Sequence, residues 1–251
     1  MCFETSARPP DPPVDGNLAS SARLILTSDD GTQVAARLAR TAAANAPGVV
    51  IIPDVRGLHP YYEDLADRFA DAGVHAVAAD PYGRTGGAEY RGEDFDHQPH
   101  RAAARDDHLR TDVRAAAAEL REAGARDVFA LGFCFGGRAA FMQASQDGIA
   151  GVVGFYGWPA REEEGGSSPI GEARDGLVRA PVLALYGGAD QGITADQIDA
   201  YDAALDSAGV AHQTVVYPGA PHSFFDRAMD EHAEACRDAW QRVLRFLGVS
   251  S

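Results

Sequence analysis

The sequence has no lysine: all 22 of its basic residues are arginine. Without lysine there is no Walker-type phosphate-binding amine, no Schiff-base nucleophile and no Ser-Lys dyad, and several enzyme classes drop out together. The arginine excess reads as codon bias, in step with the abundant alanine. Cysteine is almost as scarce. Cys2, Cys134 and Cys236 lie far apart, so neither a CxxC pair nor a disulfide framework can be built from them, and a reducing compartment is expected. Long apolar runs are missing as well. None approaches the roughly 20 residues of a membrane helix, and the first twenty positions carry neither the basic start nor the apolar core of a signal peptide. Positive charge is in deficit, with 37 acidic residues giving a formal charge of −15. Such a surface repels phosphate backbones and anionic lipid, so neither nucleic acid nor a membrane is an expected partner. What is present, 45% hydrophobic and 24% charged residues over 251 positions, suits a cytoplasmic globular protein, a monomer or small homo-oligomer.

The chain reads as a proline-rich extended tail over residues 1–20 and one domain over 21–251. Arg23 to Thr27 and Thr32 to Arg40 flank Ser28-Asp29-Asp30-Gly31, whose Asp-Gly turn chemistry predicts an antiparallel hairpin. Continuous apolar runs follow at Gly48–Pro53, Val74–Ala79, Asp127–Leu131, Ile149–Phe155, Pro181–Tyr186 and Gln213–Tyr217, as in strands buried on both faces. Helical spacing fills the intervals: Pro60–Ala72, Ala102–Ala123, Arg138–Gln146, Ala195–Ala208 and Met229–Leu247. Strand alternating with helix specifies an α/β domain, a mostly parallel sheet with helices on both faces and the hairpin at its N-terminal edge. The connections Pro81–Arg101 and Gly157–Ala180 are long enough to be lids or site-lining loops.

The strand ending at Leu131 runs into Gly132-Phe133-Cys134-Phe135-Gly136-Gly137 and then a helix. This is a G-x-nucleophile-x-G elbow with cysteine in the nucleophile's place. A sharp strand-to-helix turn crowds the backbone and requires glycine on both sides, and a thiol at a helix N-terminus is favoured as thiolate. An elbow of this kind needs an acid and then a histidine, each beyond a later strand. Gly187-Gly188-Ala189-Asp190 and Ala220-Pro221-His222-Ser223-Phe224 supply them in that order, so Asp190 orients the imidazole and His222 is the general base and acid. Asp94, Asp96, His97, His100 and His108 have no compact zinc spacing and read as a polar lid; no metal or cofactor is expected. Tyr156 and Trp158, beyond a strand end, either line the pocket or pack in the core.

The elbow, Gly187-Gly188-Ala189-Asp190 and Ala220-Pro221-His222-Ser223-Phe224 together resemble the dienelactone hydrolase family, from about Arg23 to the C-terminus. The resemblance implies the α/β-hydrolase fold and hydrolytic opening of an unsaturated lactone bearing a carboxylate, giving maleylacetate. It also implies roles for further residues. Asp54, in Pro53-Asp54-Val55-Arg56-Gly57, stands where the family has a glutamate that bonds the resting thiol, one methylene shorter. The Val55 and Phe135 amides would form the oxyanion hole. Asp80-Pro81-Tyr82-Gly83-Arg84 matches the segment whose arginine holds the substrate carboxylate, implicating Arg84 with Tyr82 beside it. The family's second such arginine lies four residues past the histidine; here Asp226 is there and Arg227 comes one later.

Three functions follow as expectations. The first is a cysteine hydrolase acting on a small carboxylated lactone through a thioester. The second is a carboxylesterase for neutral small esters, and the third a non-catalytic redox sensor with Cys134 as its oxidant-sensitive thiol, which calls for a resolving thiol nearby, whereas Cys236 on the amphipathic final helix reads as a small core residue.

Overall fold

The computed structural model describes residues 9, 16–92, 94–163, 166–225 and 230–249. Its eight strands are β1 (Leu18–Thr27), β2 (Gln33–Thr41), β3 (Gly48–Ile52), β4 (His75–Ala79), β5 (Val128–Phe133), β6 (Gly151–Phe155), β7 (Val182–Gly187) and β8 (His212–Tyr217). They form one sheet in the order β1-β2-β4-β3-β5-β6-β7-β8. The hairpin β1–β2 is antiparallel and β2 meets β4 antiparallel, whereas β3 to β8 run parallel. Every residue of β3, β4, β5, β6 and β7 is buried, which is why these segments read as unbroken apolar runs.

The helices are α1 (Pro60–Asp71), α2 (Gly83–Gly86), α3 (Gln98–Ala102), α4 (Asp106–Glu122), α5 (Phe135–Phe141), α6 (Pro169–Arg174), α7 (Ala195–Ser207) and α8 (Ala233–Phe246). On one face α1 meets α8 through Phe69 and Trp240, with ring centres 4.7 Å apart. The other face carries α4, α5 and α7, joined by the Arg138–Asp106 pair and by Phe141 against Tyr201 at 5.1 Å. This is the mostly parallel sheet with helices on both faces expected from the alternation of strand and helix, and the α/β-hydrolase architecture that the family resemblance implies.

Differences from the expected elements are local. The hairpin begins at Leu18, inside the segment read as tail, because β1 pairs with β2 out to Thr41. The elbow helix starts at Phe135 rather than Arg138 and tightens into a 3-10 turn over Met142–Ser145. Short helices α2, α3 and α6 occupy the two long connections, too brief to leave a periodic signal. Among the described residues no helix is long and apolar enough to cross a membrane.

Candidate active site

Parallel strands deliver their following loops to one edge of the sheet, and all six segments of interest arrive there. Val55 follows β3, Tyr82 follows β4, Cys134 follows β5, Tyr156 and Trp158 follow β6, Asp190 follows β7 and His222 follows β8. Crevices at the carboxyl ends of such strands are where open α/β sheets bind ligands.

Cys134 caps α5 in a left-handed conformation, φ 57° and ψ −115°, and is buried. Its N–H donates to the Phe155 carbonyl at 3.0 Å, tying the strained turn to the neighbouring strand β6. Glycine is obligatory beside it: a Cβ on Gly132 would run into the Gly136 carbonyl, and one on Gly136 into the Ile52 carbonyl. Tyr156 at φ 41° and Ser223 at φ 62° are also left-handed, so three of the four such non-glycine residues among those described surround one imidazole. Strain of this kind persists only where the surroundings over-determine it, and it gathers at functional sites.

That imidazole is His222. Its Nδ1 lies 2.6 Å from Asp190 Oδ2, and its ring hydrogen-bonds the Cys134 sulfur. Asp190 is fixed in turn by the Gly192 N–H, which donates to Oδ1 at 2.8 Å. Tyr156 and Trp158 pack on the histidine ring at 4.9 and 4.8 Å, and the Trp158 Nε1–H donates to the Gly192 carbonyl at 3.0 Å. Both aromatics therefore wall the site. Burial pulls the His222 pKa down, but the bonds to Asp190 and to Cys134 outweigh it and raise the value to about 9. An imidazole that holds its proton to that pH favours an adjacent thiolate by charge.

The family model described as the dienelactone hydrolase family matches residues 34–251. The chain belongs to the dienelactone hydrolase family. A Methylorubrum extorquens protein bearing the name carboxymethylenebutenolidase is 30% identical over 243 residues, covering 91% of this chain and 81% of its own length. One of the same name from Yersinia pestis is 32% identical over 215 residues, covering 82% and 80%. A Klebsiella pneumoniae crystal structure carrying the dienelactone hydrolase name superposes with a TM-score of 0.80 at 27% identity, over 92% of this chain and 99% of that one. Family membership makes the chain a hydrolase of the ester and lactone class.

The remaining residues singled out in the sequence are placed as follows. Arg84 is spent within the fold: its Nη1 donates to both Asp112 oxygens at 2.5 and 2.6 Å, and its Nη2 to Asp30 at 2.7 Å. It ties the hairpin turn to α4. Tyr82 is also enclosed, its hydroxyl donating to the Val55 carbonyl at 2.7 Å. Asp54 is fully buried, with Oδ1 accepting the Arg56 N–H at 2.8 Å. Arg227 and Cys2 lie outside the described residues. Cys236 is a buried thiol that donates to the Phe224 carbonyl at 3.3 Å, beneath the histidine loop. His100 stacks on Phe95 at 4.8 Å within the connection from β4 to α4.

Two arginines escaped the reading of the sequence. Arg101 lies over the Phe135 ring at 4.4 Å and pairs with Glu163 at 2.6 and 2.9 Å. Arg138, three residues into α5, is fully buried and donates to Asp106, to the Arg161 carbonyl and to the Ser167 carbonyl. Nothing local marks either, because their partners lie 23 to 62 residues away. Among the described residues one group has metal-ligand proximity, Asp202, Asp206 and His212, with ligand atoms within 4.8 Å of one another. It sits at the amino-terminal end of β8, the opposite edge of the sheet from Cys134.

Proposed function

We propose that this member of the family opens a small unsaturated lactone through a covalent thioester on Cys134, with no cofactor. The observation that carries the reading is the hydrogen-bonded series Cys134, His222, Asp190, assembled from three separate strand ends. The sulfur, as thiolate, adds to the lactone carbonyl, and the tetrahedral oxyanion is received by the Val55 and Phe135 amides. Collapse breaks the ring C–O bond, and the departing oxygen takes its proton from the His222 imidazolium. The neutral imidazole then removes a proton from water, whose oxygen attacks the thioester and returns the thiolate. Net change is addition of one water across the ester bond. Asp54, beside this turn, is assigned to the resting thiol, where its charge would oppose ionisation until substrate arrives.

The substrate class is a lactone bearing a carboxylate, of the dienelactone-to-maleylacetate type, in keeping with relatives named carboxymethylenebutenolidase. The double pairing of Arg84 favours a second reading, a carboxylesterase for neutral small esters on the same machinery. A matched pair of substrates separates the two: a carboxylated lactone and a neutral aryl ester of similar leaving group, with intact-mass analysis of the acyl-enzyme. The first reading expects an adduct on Cys134 and higher kcat/KM for the carboxylated substrate; equal or better turnover of the neutral one selects the second. Turnover of both without any adduct on Cys134 would remove the thioester from the mechanism.

A further inference from the structure

Tyr82 is enclosed beside the candidate site, with its hydroxyl on the Val55 carbonyl. We infer that Tyr82 is a positioning residue for the oxyanion hole, holding the two backbone donors in register through one hydrogen bond and one stacked ring. The inference rests on the thioester reading above and adds a residue to it.

The geometry begins with strand order. Tyr82 follows β4, Val55 follows β3 and Phe135 lies just past β5, and these three strands are adjacent in the order β4-β3-β5. A side chain reaching from the end of β4 toward β5 must cross the turn beyond β3. In that turn the Asp54 carbonyl accepts the Gly57 N–H at 3.1 Å, while Asp54 Oδ1 accepts the Arg56 N–H at 2.8 Å. The first bond orients the Asp54–Val55 peptide plane, which contains the Val55 N–H. The Tyr82 hydroxyl, donating to the Val55 carbonyl at 2.7 Å, orients the next plane. With both flanking planes held, the direction of the Val55 N–H is fixed.

On its far side the Tyr82 ring lies nearly parallel to that of Phe135, at 6.2 Å and 14°. Phe135 carries the second donor, at the first position of α5. One rigid side chain therefore spans the residues that bear both donors. It is itself well braced. Its N–H donates to Asp80 Oδ2 at 3.2 Å, and Asp80 also accepts the Leu58 N–H at 2.9 Å and the Arg91 guanidinium at 2.7 Å. Phe95 and His100 close over the ring at 6.1 and 6.0 Å. Burial pushes the phenol pKa up; Arg101 opposes this, and the charges of Asp54, Asp80 and Cys134 add to it, so the hydroxyl stays a donor at every working pH.

An oxyanion exists only in the tetrahedral states, so a misaligned hole leaves its mark on kcat and not on ground-state binding or on the sulfur. Tyr82→Phe keeps the ring and its stacking while leaving the Val55 carbonyl without its phenol. The expected result is a loss of kcat of about 10- to 100-fold, below the 100- to 1000-fold typical of deleting a donor outright. KM should change little, and so should the rate of Cys134 alkylation by iodoacetamide, which forms no oxyanion. A trifluoromethyl ketone, which forms a tetrahedral adduct with the thiolate, should lose affinity by the same factor as kcat. Phe135→Leu, which keeps every backbone donor but removes the stacking face, should show the same pattern at smaller size, and it serves if Tyr82→Phe does not fold. Unchanged kcat in Tyr82→Phe, or alkylation falling in parallel with kcat, would overturn the inference. If Cys134→Ala is inactive while Tyr82→Phe is unimpaired, only the positioning role fails. A fully active Cys134→Ala would overturn the thioester reading and this inference with it.

Discussion

At the elbow around Cys134, position is enforced by backbone. Gly132 and Gly136 have no room for a side chain, Cys134 is held at positive φ, and the Phe155 carbonyl anchors its amide. Among the described residues of the two long connections above it, between β4 and α4 and between β6 and α6, position is enforced by charge. In the first, Arg91 holds Asp80 and the Gly86 and Gly87 carbonyls; Arg138, reaching from α5, holds the Arg161 and Ser167 carbonyls of the second; and Arg101 joins the two through Glu163. The elbow is thus sensitive to single added atoms and the loops to single removed charges. A strained turn needs hard-sphere contacts to over-determine it, whereas loops without a regular ladder of backbone bonds are fixed by whichever side chains reach across them.

Substitutions in each region test that contrast. The largest effect is expected at Cys134→Ala, which keeps the Cβ and hence the backbone strain while removing the sulfur. Hydrolysis should fall by about three to four orders of magnitude or more with the melting temperature within a few degrees of wild type. Residual activity above a tenth of wild type would show that the elbow is scaffold only.

Arg138→Met breaks the charge-held region at its most buried point, leaving Asp106 without its bidentate partner. Removing one partner of a buried pair costs about 3–5 kcal/mol, read as a lower midpoint in urea unfolding. A cost under about 1 kcal/mol would mean that the loops are positioned by packing and not by these charges.

Arg84→Ala is expected to be milder. Losing the bonds to buried Asp112 costs about 1.5–3 kcal/mol of stability, and the structural pairing predicts that kcat/KM falls equally, if at all, on carboxylated and neutral substrates. Selective loss on the carboxylated substrate would return Arg84 to anion recognition.

The smallest effect is in the pH dependence of the site itself. His222 is raised from 6.5 to about 9, so the imidazolium is intact at neutral pH and kcat/KM should decline as pH passes about 9, where the general acid is lost. By linkage, the same elevation contributes stability fully present below pH 6.5 and lost as pH rises through 9. His222→Gln should flatten the stability curve across that window; an unaltered slope there would assign the titration to another group.

The elbow, acid and histidine were legible because each is a short-range pattern: glycines flanking a nucleophile, then a polar residue just past each of two apolar runs. Their order along the chain equals their order across the sheet, and parallel connectivity carries them to a single edge. Residues whose role depends on distant partners were not legible. Arg84 and Tyr82 sit in the segment that suggested substrate contact, yet Asp30, Asp112 and the Val55 carbonyl, 27 to 54 residues away, claim their polar atoms. Arg101 and Arg138 gave no sign for the same reason.

The sequence by itself therefore determined the sheet, the elbow and the strand ends that carry Cys134, Asp190 and His222 to one edge, because strand burial, tight-turn sterics and chain order act over a few residues. Only the tertiary structure decided which arginines are engaged, that Tyr156 and Trp158 wall the histidine, and that Tyr82 braces the turn bearing Val55. A guanidinium or phenol binds the nearest compatible acceptor in space, and nearness in space is not written in the spacing of residues along the chain.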